Sequence, residues 1–337
     1  MPMPPSRTAR IYRPTPRNLA LLARVLADGG LVAAPTETVY GLAADALNAK
    51  ACRAIFRAKG RPASDPLIVH VDSLAQAAEV AEFNEAALRV ADAFWPGPLT
   101  LVLPKRAGVP AIVTSGLSSV AVRMPAHPLF RELIRQSGCP LAAPSANPFG
   151  YVSPTTALHV RDGLGNRIGH ILDGGAAEIG VESTILDLRD PRLPALLRPG
   201  AVSREQLEQV LGRKVTAYRR KTTPHTAAVA PGMLERHYSP RTPLTLVRRL
   251  TSAHVRGAKP DEALLFLHKP ARITGPNLFW LSDKPDDLAL AAHRLFDQVR
   301  ALDGGAWSHI RAELAPGTDA LALAINDRLA RAAAKSK

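Results

Sequence analysis

Apolar residues recur along this chain at two spacings, helical and alternating, and these set the expected elements. Thr15-Pro16 offers helix-capping chemistry, Leu19, Leu22, Val25 and Leu26 follow at helical spacing, and Gly29-Gly30 stops the run. The apolar run "LVAAP" predicts a buried strand, "TETVYGLAAD" a loop, and "NAKACRAIFRAKG" a second helix closed by Gly60. "PLIVHV" predicts a strand, and "SLAQAAEVAEFNEAALRVADAFWPG" a helical stretch with one break. "LTLVLPK", "SVAVRMP", "PLAAPSA" and "STILDLR" predict further short strands, with glycine or proline between nearly every pair. This irregular alternation predicts an α/β (α+β) domain on a twisted mixed sheet with helices, rather than a regular doubly wound one.

"SREQLEQVLG" (203–212) predicts a serine-capped closing helix, and the pattern then breaks. Residues 213–243 have little apolar periodicity, with five cations between Arg213 and Lys221 and four prolines, which is linker composition. Beyond Pro243, "LTLVRRL", "EALLFLH", "NLFWLS", "DDLALAAHRLFDQVRAL", "HIRAELA" and "ALAINDRLARAAAK" resume as strands and helices. They predict a small Rossmann-like α/β domain over 244–337, three-layered and parallel. It has no GxGxxG or Walker A pattern, so no nucleotide site is expected in it. The first domain is expected over 15–212, behind a basic, proline-rich leader (1–14) with no apolar signal core.

The 337 residues allow two domains, and 46% hydrophobic with 21% charged residues is ordinary for a globular protein. No run approaches the roughly 18–20 apolar residues of a membrane span, so no membrane partner is expected. Cys52 and Cys139 form no CxxC, which fits a reducing cytoplasm and argues against a zinc site or disulfide framework. Forty-three Lys and Arg against 29 Asp and Glu leave a net charge of +14, which favours phosphate-bearing partners without separating nucleotide from nucleic acid. A generally basic surface explains much of this charge equally well.

Candidate chemistry lies between the elements. In "FRAKGRPASDPLIVH", Lys59 and Arg61 follow a helix end two residues apart, where they suit polyphosphate binding or simply offset the helix dipole. Thr36, Thr38 and Tyr40 of "PTETVYGL" place hydroxyls after a buried strand, a usual ligand position and also ordinary strand composition. "APSANPFGYVSP" supplies Ser145, Asn147 and Ser153, as donors to anionic oxygens or as turn formers. Ser183 and Thr184 open a strand, and Arg198 precedes a Pro-Gly turn. No HExxH, DxDxDG or GxSxG pattern is present. A site rich in hydroxyls and cations but poor in carboxylates suits the alignment of phosphorylated reactants better than acid–base hydrolysis.

In this order, "PTETVYGL", "AKGRP…PLIVH", "WPGPLT", "VAVRMPAHP", "APSAN" and "ESTILDL…LRPGAV" resemble the YrdC-like domain of the threonylcarbamoyl-AMP synthase family, over about residues 15–212. "APGMLERHYSP" followed by an α/β domain resembles the family's long, two-domain form. The resemblance implies that L-threonine, bicarbonate and ATP, with Mg2+, give L-threonylcarbamoyl-AMP and pyrophosphate. A separate transferase complex would then modify the adenosine next to the anticodon in tRNAs reading ANN codons. It implies a catalytic phosphate-holding tetrad of Lys59, Arg61, Ser145 and Asn147. It places Thr38, His70, Arg123, Ala143 and Ser183 around threonine, with Arg123 taking the carboxylate and a neutral His70 at the amine or carbamate. Arg61, Asp65, Ser119, Ser145, Ser153, Arg198 and His237 fall on the ATP side, with the "HYSP" segment as a lid. Asp65 stands where the family often has Asn, and an acid there repels phosphate unless it meets Mg2+. Magnesium ligands are not identified. Two other readings compete: a basic RNA-binding module without catalysis, and a carbamoyl-transfer relative with another acceptor. Only 5% aromatic content disfavours the first.

Overall fold

The computed structural model describes residues 8–217, 229–230 and 237–334. Residues 1–7 of the expected leader, and 218–228 and 231–236 of the expected linker, lie outside the described residues.

The first domain opens with β1 (Arg10–Tyr12), α1 (Pro16–Ala27), β2 (Val32–Pro35), β3 (Tyr40–Asp45) and α2 (Ala49–Lys59). It continues through β4 (Ile68–His70), α3 (Leu74–Val80), α4 (Glu85–Phe94), β5 (Leu99–Pro104), β6 (Ser119–Arg123) and α5 (Pro128–Ser137). β7 (Leu141–Ala142), α6 (Ala157–Leu164), β8 (His170–Leu172), β9 (Thr184–Asp187), β10 (Ala195–Arg198), α7 (Arg204–Leu211) and β11 (Thr216–Ala217) complete it. The strands form one mixed sheet in the order β1-β8-β2-β3-β7-β4-β6-β5-β9-β10-β11.

Local chemistry sets the helix ends. Thr15 Oγ1 accepts from Asn18 N at 3.3 Å, with Pro16 in the first turn of α1. Gly60 closes α2 in the left-handed conformation at φ 66°, which a side chain adopts only with strain. Alternation then assigns faces. Val32 and Ala34 of β2 pack with α1 and α5, while Ala33 joins Leu42 of β3 and Ile55 and Phe56 of α2 on the other side. Helices therefore cover both faces.

Three expectations change. Tyr40–Asp45, expected within a loop, is β3, antiparallel to β2 from Val32↔Ala43 to Pro35↔Tyr40. It is buried on both faces over most of its length, so it lacks the alternation that marks a half-exposed strand. Residues 10–12, expected in a leader, form β1 in parallel register with β8, and Tyr12 Oη meets His170 Nδ1 at 3.0 Å. β11 pairs with β10 and carries the sheet past residue 212.

The second domain contains β12 (Leu244–Val247), α8 (Ser252–Gly257), β13 (Glu262–His268), β14 (Leu278–Ser282), α9 (Leu288–Asp303), β15 (His309–Glu313) and α10 (Ala320–Ala332). Its sheet is all parallel, ordered β12-β15-β13-β14. Leu265 and Leu267 face α9 and α10, whereas Leu264 and Phe266 face Val255 of α8, which makes the expected three layers. Among the described residues no helix is long and apolar enough to cross a membrane.

The two domains share one apolar cluster. Val39, Val152 and Val181 pack with Phe296 and Val299 of α9 and Leu329 of α10. Arg300 of α9 donates to the carbonyls of Val152 (2.5 Å) and Ser153 (3.1 Å), and Tyr151 Oη donates to Asp303 Oδ2 at 2.6 Å. Gly180, at φ 81°, passes so close to α9 that a Cβ there would lie 2.4 Å from His293 O. Gly180→Ala should lower stability by at least about 1–2 kcal/mol, from the left-handed backbone alone, and loosen the docking. Urea midpoints and protease sensitivity at the domain junction measure this. An unchanged midpoint would show that the loop gives way freely.

Candidate active site

Sheet register gathers the site. β4 and β6 are parallel and pair His70 with Arg123, so both side chains emerge at one end. β5 runs antiparallel to β6, and β9 parallel to β5, so the starts of these strands, with Thr100 and Ser183, lie at that same end. The turn 36–39 between β2 and β3 closes one side. The segment leaving β7 crosses β3 through the Gly41↔Ser145 bridge. A Cβ on Gly41 would come within 3.2 Å of Ala143 Cβ, so the two segments cross closely there.

These elements enclose one hollow. Thr38, His70, Arg123, Ala143 and Ser183, expected around threonine, all line it. Arg61, Ser145, Arg198 and His237, expected on the nucleotide side, line it too. Its free volume is about 40 Å³, room for only a few waters. Tyr238 lines it as well, and His237 and Tyr238 are buried there at 5% and 1% exposure.

The charges in the wall are held firmly. Arg123 Nη2 lies 2.6 Å from Glu37 Oε1, Nη1 donates to Thr38 Oγ1 at 3.0 Å, and Nε donates to Gly97 O at 3.2 Å. Five N–H groups less these three leave two for a ligand. Burial pushes the Glu37 carboxyl up, but the charge and hydrogen bond of Arg123 outweigh it and hold it below its ordinary value. Burial, then the Arg123 charge, pushes His70 down to about 3, so its ring is neutral at pH 7. Burial and then the charges of Arg61, Lys59, Arg198 and Arg331 keep His237 neutral as well. Arg198 donates to Ser183 O and Oγ, both at 3.0 Å, and Ser183 Oγ lies 2.8 Å from Thr100 Oγ1. Gly200 packs where a Cβ would fall 2.4 Å from Thr184 N, so the Pro-Gly turn sets Arg198 against this loop.

Five expected residues do not line the hollow, for identifiable reasons. Lys59 Nζ donates to the carbonyls of Ser145 and Asn147, each at 2.5 Å, and so braces the 145–147 loop from behind. Burial, then the Arg61 charge, pushes its ammonium well below its ordinary value. Asn147 Nδ2 donates to Pro148 O and Tyr151 O, securing the same loop. Asp65 pairs with Arg61 at 3.0 Å, and Arg61 also donates to the carbonyls of Asp65 and Pro66. Asp65 is therefore a counter-ion of Arg61 and is not among the residues lining the hollow. Ser153 Oγ donates to Glu182 Oε1 at 2.5 Å. Ser119 begins β6 beside Pro104.

Sequence reasoning missed Glu37, Glu182 and Arg328, and had Tyr238 only as part of the expected "HYSP" lid. Glu182 lines the hollow, and Arg328 of α10 reaches it from the second domain. Arg328 is fully buried; Nε donates to Glu182 Oε2 (3.1 Å), Nη2 to Glu182 O (3.2 Å) and Nη1 to Pro199 O (2.6 Å). It thus clasps the residues next to Ser183 and Arg198. A separation of 146 residues leaves no local signal for this contact.

No cluster of three His, Cys, Asp or Glu able to hold a metal occurs among the described residues. The carboxylates nearest the hollow, Glu37, Asp65 and Glu182, are each committed to an arginine. The protein donors therefore do not fit a magnesium site.

Residues 24–200 match a family model described as "Telomere recombination", and residues 202–334 one described as "Threonylcarbamoyl-AMP synthase, C-terminal domain". A threonylcarbamoyl-AMP synthase of Pyrococcus abyssi is 41% identical over 326 residues, covering 93% of each chain. One of Bacillus subtilis is 40% identical over 324 residues, covering 94% of this chain and 92% of its own. The crystal structure of the Pyrococcus abyssi protein complexed with L-threonine superposes with a TM-score of 0.87 at 38% identity, covering 96% of this chain and 98% of that one.

Two outcomes follow from this wall. Between its ordinary 6.5 and about 3, His70 binds a proton in the unfolded chain but not in the folded one. Stability should therefore fall as pH drops from about 6.5, by up to about 1.4 kcal/mol per unit. His70→Gln should reduce that slope by one proton in denaturation midpoints measured between about pH 6 and pH 5; equal slopes would exclude a neutral, buried imidazole. Arg328→Met should cost about 3–5 kcal/mol by stranding Glu182, and adding Glu182→Gln should recover most of it. A double variant no more stable than the single one would remove Glu182 as the partner.

Proposed function

This chain belongs to the threonylcarbamoyl-AMP synthase family, and from that premise we propose that it joins L-threonine, bicarbonate and ATP into L-threonylcarbamoyl-AMP. The observation carrying this reading is the convergence of Thr38, His70, Arg123, Ala143 and Ser183 with Arg61, Ser145 and Arg198 in one enclosed hollow. A relative sharing this fold binds L-threonine. The hollow offers an amino acid what it needs: two remaining N–H groups of Arg123 for the carboxylate, hydroxyls of Thr38 and Ser183, and a neutral imidazole near the amine.

In the proposed reaction the threonine nitrogen attacks the carbon of bicarbonate and water leaves, forming a carbamate. A carbamate oxygen then attacks the α-phosphorus of ATP; the bond to the β-phosphate breaks and pyrophosphate departs. Two anions must meet, so the protein's task is to align them and neutralise their charge, and alignment of this kind supplies about 7–11 kcal/mol. Arg61 and Arg198 approach the nucleotide from the wall, and Lys59 and Asn147 act by holding the loop of Ser145 in place. Magnesium enters this proposal only as the companion of the ATP phosphates, coordinated by them and by water.

A free volume of about 40 Å³ compares with roughly 300–1,000 Å³ for ligand pockets in general. ATP thus enters only when His237 and Tyr238 withdraw. Their return would keep water from a hydrolysable mixed anhydride. A separate transferase would take the product to tRNA.

Purified protein given threonine, bicarbonate, Mg2+ and ATP should release pyrophosphate, and omitting threonine should stop the release. Arg61→Ala should slow it at least about tenfold, from loss of a charge-assisted contact. Release that is independent of threonine, or undiminished in a folded Arg61→Ala protein, would refute the assignment.

A further inference from the structure

A crevice of about 1020 Å³ opens on the second domain, and it shares no lining residue with the central hollow. It sits at the carboxyl ends of three adjacent parallel strands: Val247 ends β12, His268 ends β13 and Glu313 ends β15, and all three line it. β12 leaves the sheet through α8 on one face, while β14 leaves through α9 on the other, and β15 returns between β12 and β13. Open parallel sheets bind ligands where connections diverge in this way.

The lining has a definite chemistry. Leu267, Leu314, Ala315 and Pro316 supply apolar surface. Arg248, Arg249 and His254 line the β12 side, and Arg272 lines an adjoining hollow of about 340 Å³ that shares Arg249 and His268. Arg248, Arg249 and Arg272 are exposed and make no hydrogen bond or ion pair with the described residues. His268 Nδ1 is buried and has no hydrogen-bond partner among the described residues. The central acid is already engaged: Glu313 Oε1 accepts from Leu250 N at 3.2 Å and Oε2 from Leu267 N at 3.0 Å. Its remaining lone pairs suit a sugar hydroxyl. Asp286 is the one other acid in the lining.

We propose that the second domain carries its own binding site for a nucleoside phosphate, with the base on the apolar surface and the phosphates on Arg248, Arg249 and Arg272. The sequence lacks a glycine-rich phosphate loop, which led to the opposite expectation. Arginine forks provide here what backbone amides provide in that motif.

The test uses the full chain and ADP, with binding located by hydrogen exchange and measured by calorimetry at low salt. ADP should protect backbone amides at 247–256 and 266–273. Arg248→Ala/Arg249→Ala, both at exposed positions, should abolish that protection and weaken this binding event at least about tenfold. Inorganic pyrophosphate should compete and adenosine should not. Protection confined to segments lining the central hollow, or unchanged protection in the double variant, would overturn the proposal. Displacement of ADP by a short single-stranded RNA of far higher affinity would reassign the crevice to nucleic acid and overturn it as well.

Discussion

Burying a guanidinium without a counter-ion is one of the costliest things a fold can do, and the central site is arranged around that cost. Arg61, Arg123 and Arg328 are each at most 6% exposed, and each lies against a carboxylate: Asp65 at 3.0 Å, Glu37 at 2.6 Å, and for Arg328 both Glu182 at 3.1 Å and Asp327 at 3.2 Å. Stripping water from such ions costs several kcal/mol apiece, and only close pairing with further hydrogen bonds offsets it. Each pair also fixes a direction. Glu37, Thr38 and Gly97 take three N–H groups of Arg123 and define where the other two can serve. The cations of the site are thereby aimed by the fold itself.

The third pair joins the domains. Arg328 belongs to α10, yet besides Asp327 of its own helix it bonds Glu182 and Pro199, the neighbours of Ser183 and Arg198. Ser153 bonds the other oxygen of Glu182, and Arg300 holds the carbonyl of Ser153. The second domain therefore braces the wall of the hollow from behind, through Glu182 and Pro199. A catalytic domain separated from it would leave Glu182 buried without its cation.

How much the sequence disclosed depends on range. Caps and terminators such as Thr15, Pro16 and Gly60 are local, and they mark helices that the structure contains. The second domain's strands were legible because each apolar run is bounded by polar turns. β3 was not legible as a strand, since a segment buried on both faces shows no alternation. At the site, quoted segments identified nine residues that share the hollow. They could not show which cations face it, because that depends on backbone carbonyls: those of Ser145 and Asn147 accept two of the three N–H groups of Lys59 and hold it behind their loop. Asp65 looked repulsive to phosphate until Arg61 was placed beside it. Arg328 was hidden by sequence distance.

The closed hollow is poised rather than locked. Tyr238 packs on Phe296 at 5.3 Å between ring centroids, lies beneath the Arg328 guanidinium, and is followed by Ser239 N donating to Gly150 O. These contacts favour closure. Against them, Tyr238 sits at φ 60°, a left-handed conformation costing a β-carbon residue about 1–2 kcal/mol. Its hydroxyl and the Nδ1 of His237 are buried without hydrogen-bond partners among the described residues, each such group typically costing about 1–3 kcal/mol. His237 also lies among Arg61, Lys59 and Arg198, whose charges act against its protonation. A segment with strong apolar anchors and unsatisfied polar tips can leave its seat at modest cost. A triphosphate would supply those cations with the anion that the imidazole cannot, so the same charges that make His237 an uneasy occupant make the nucleotide a favourable one.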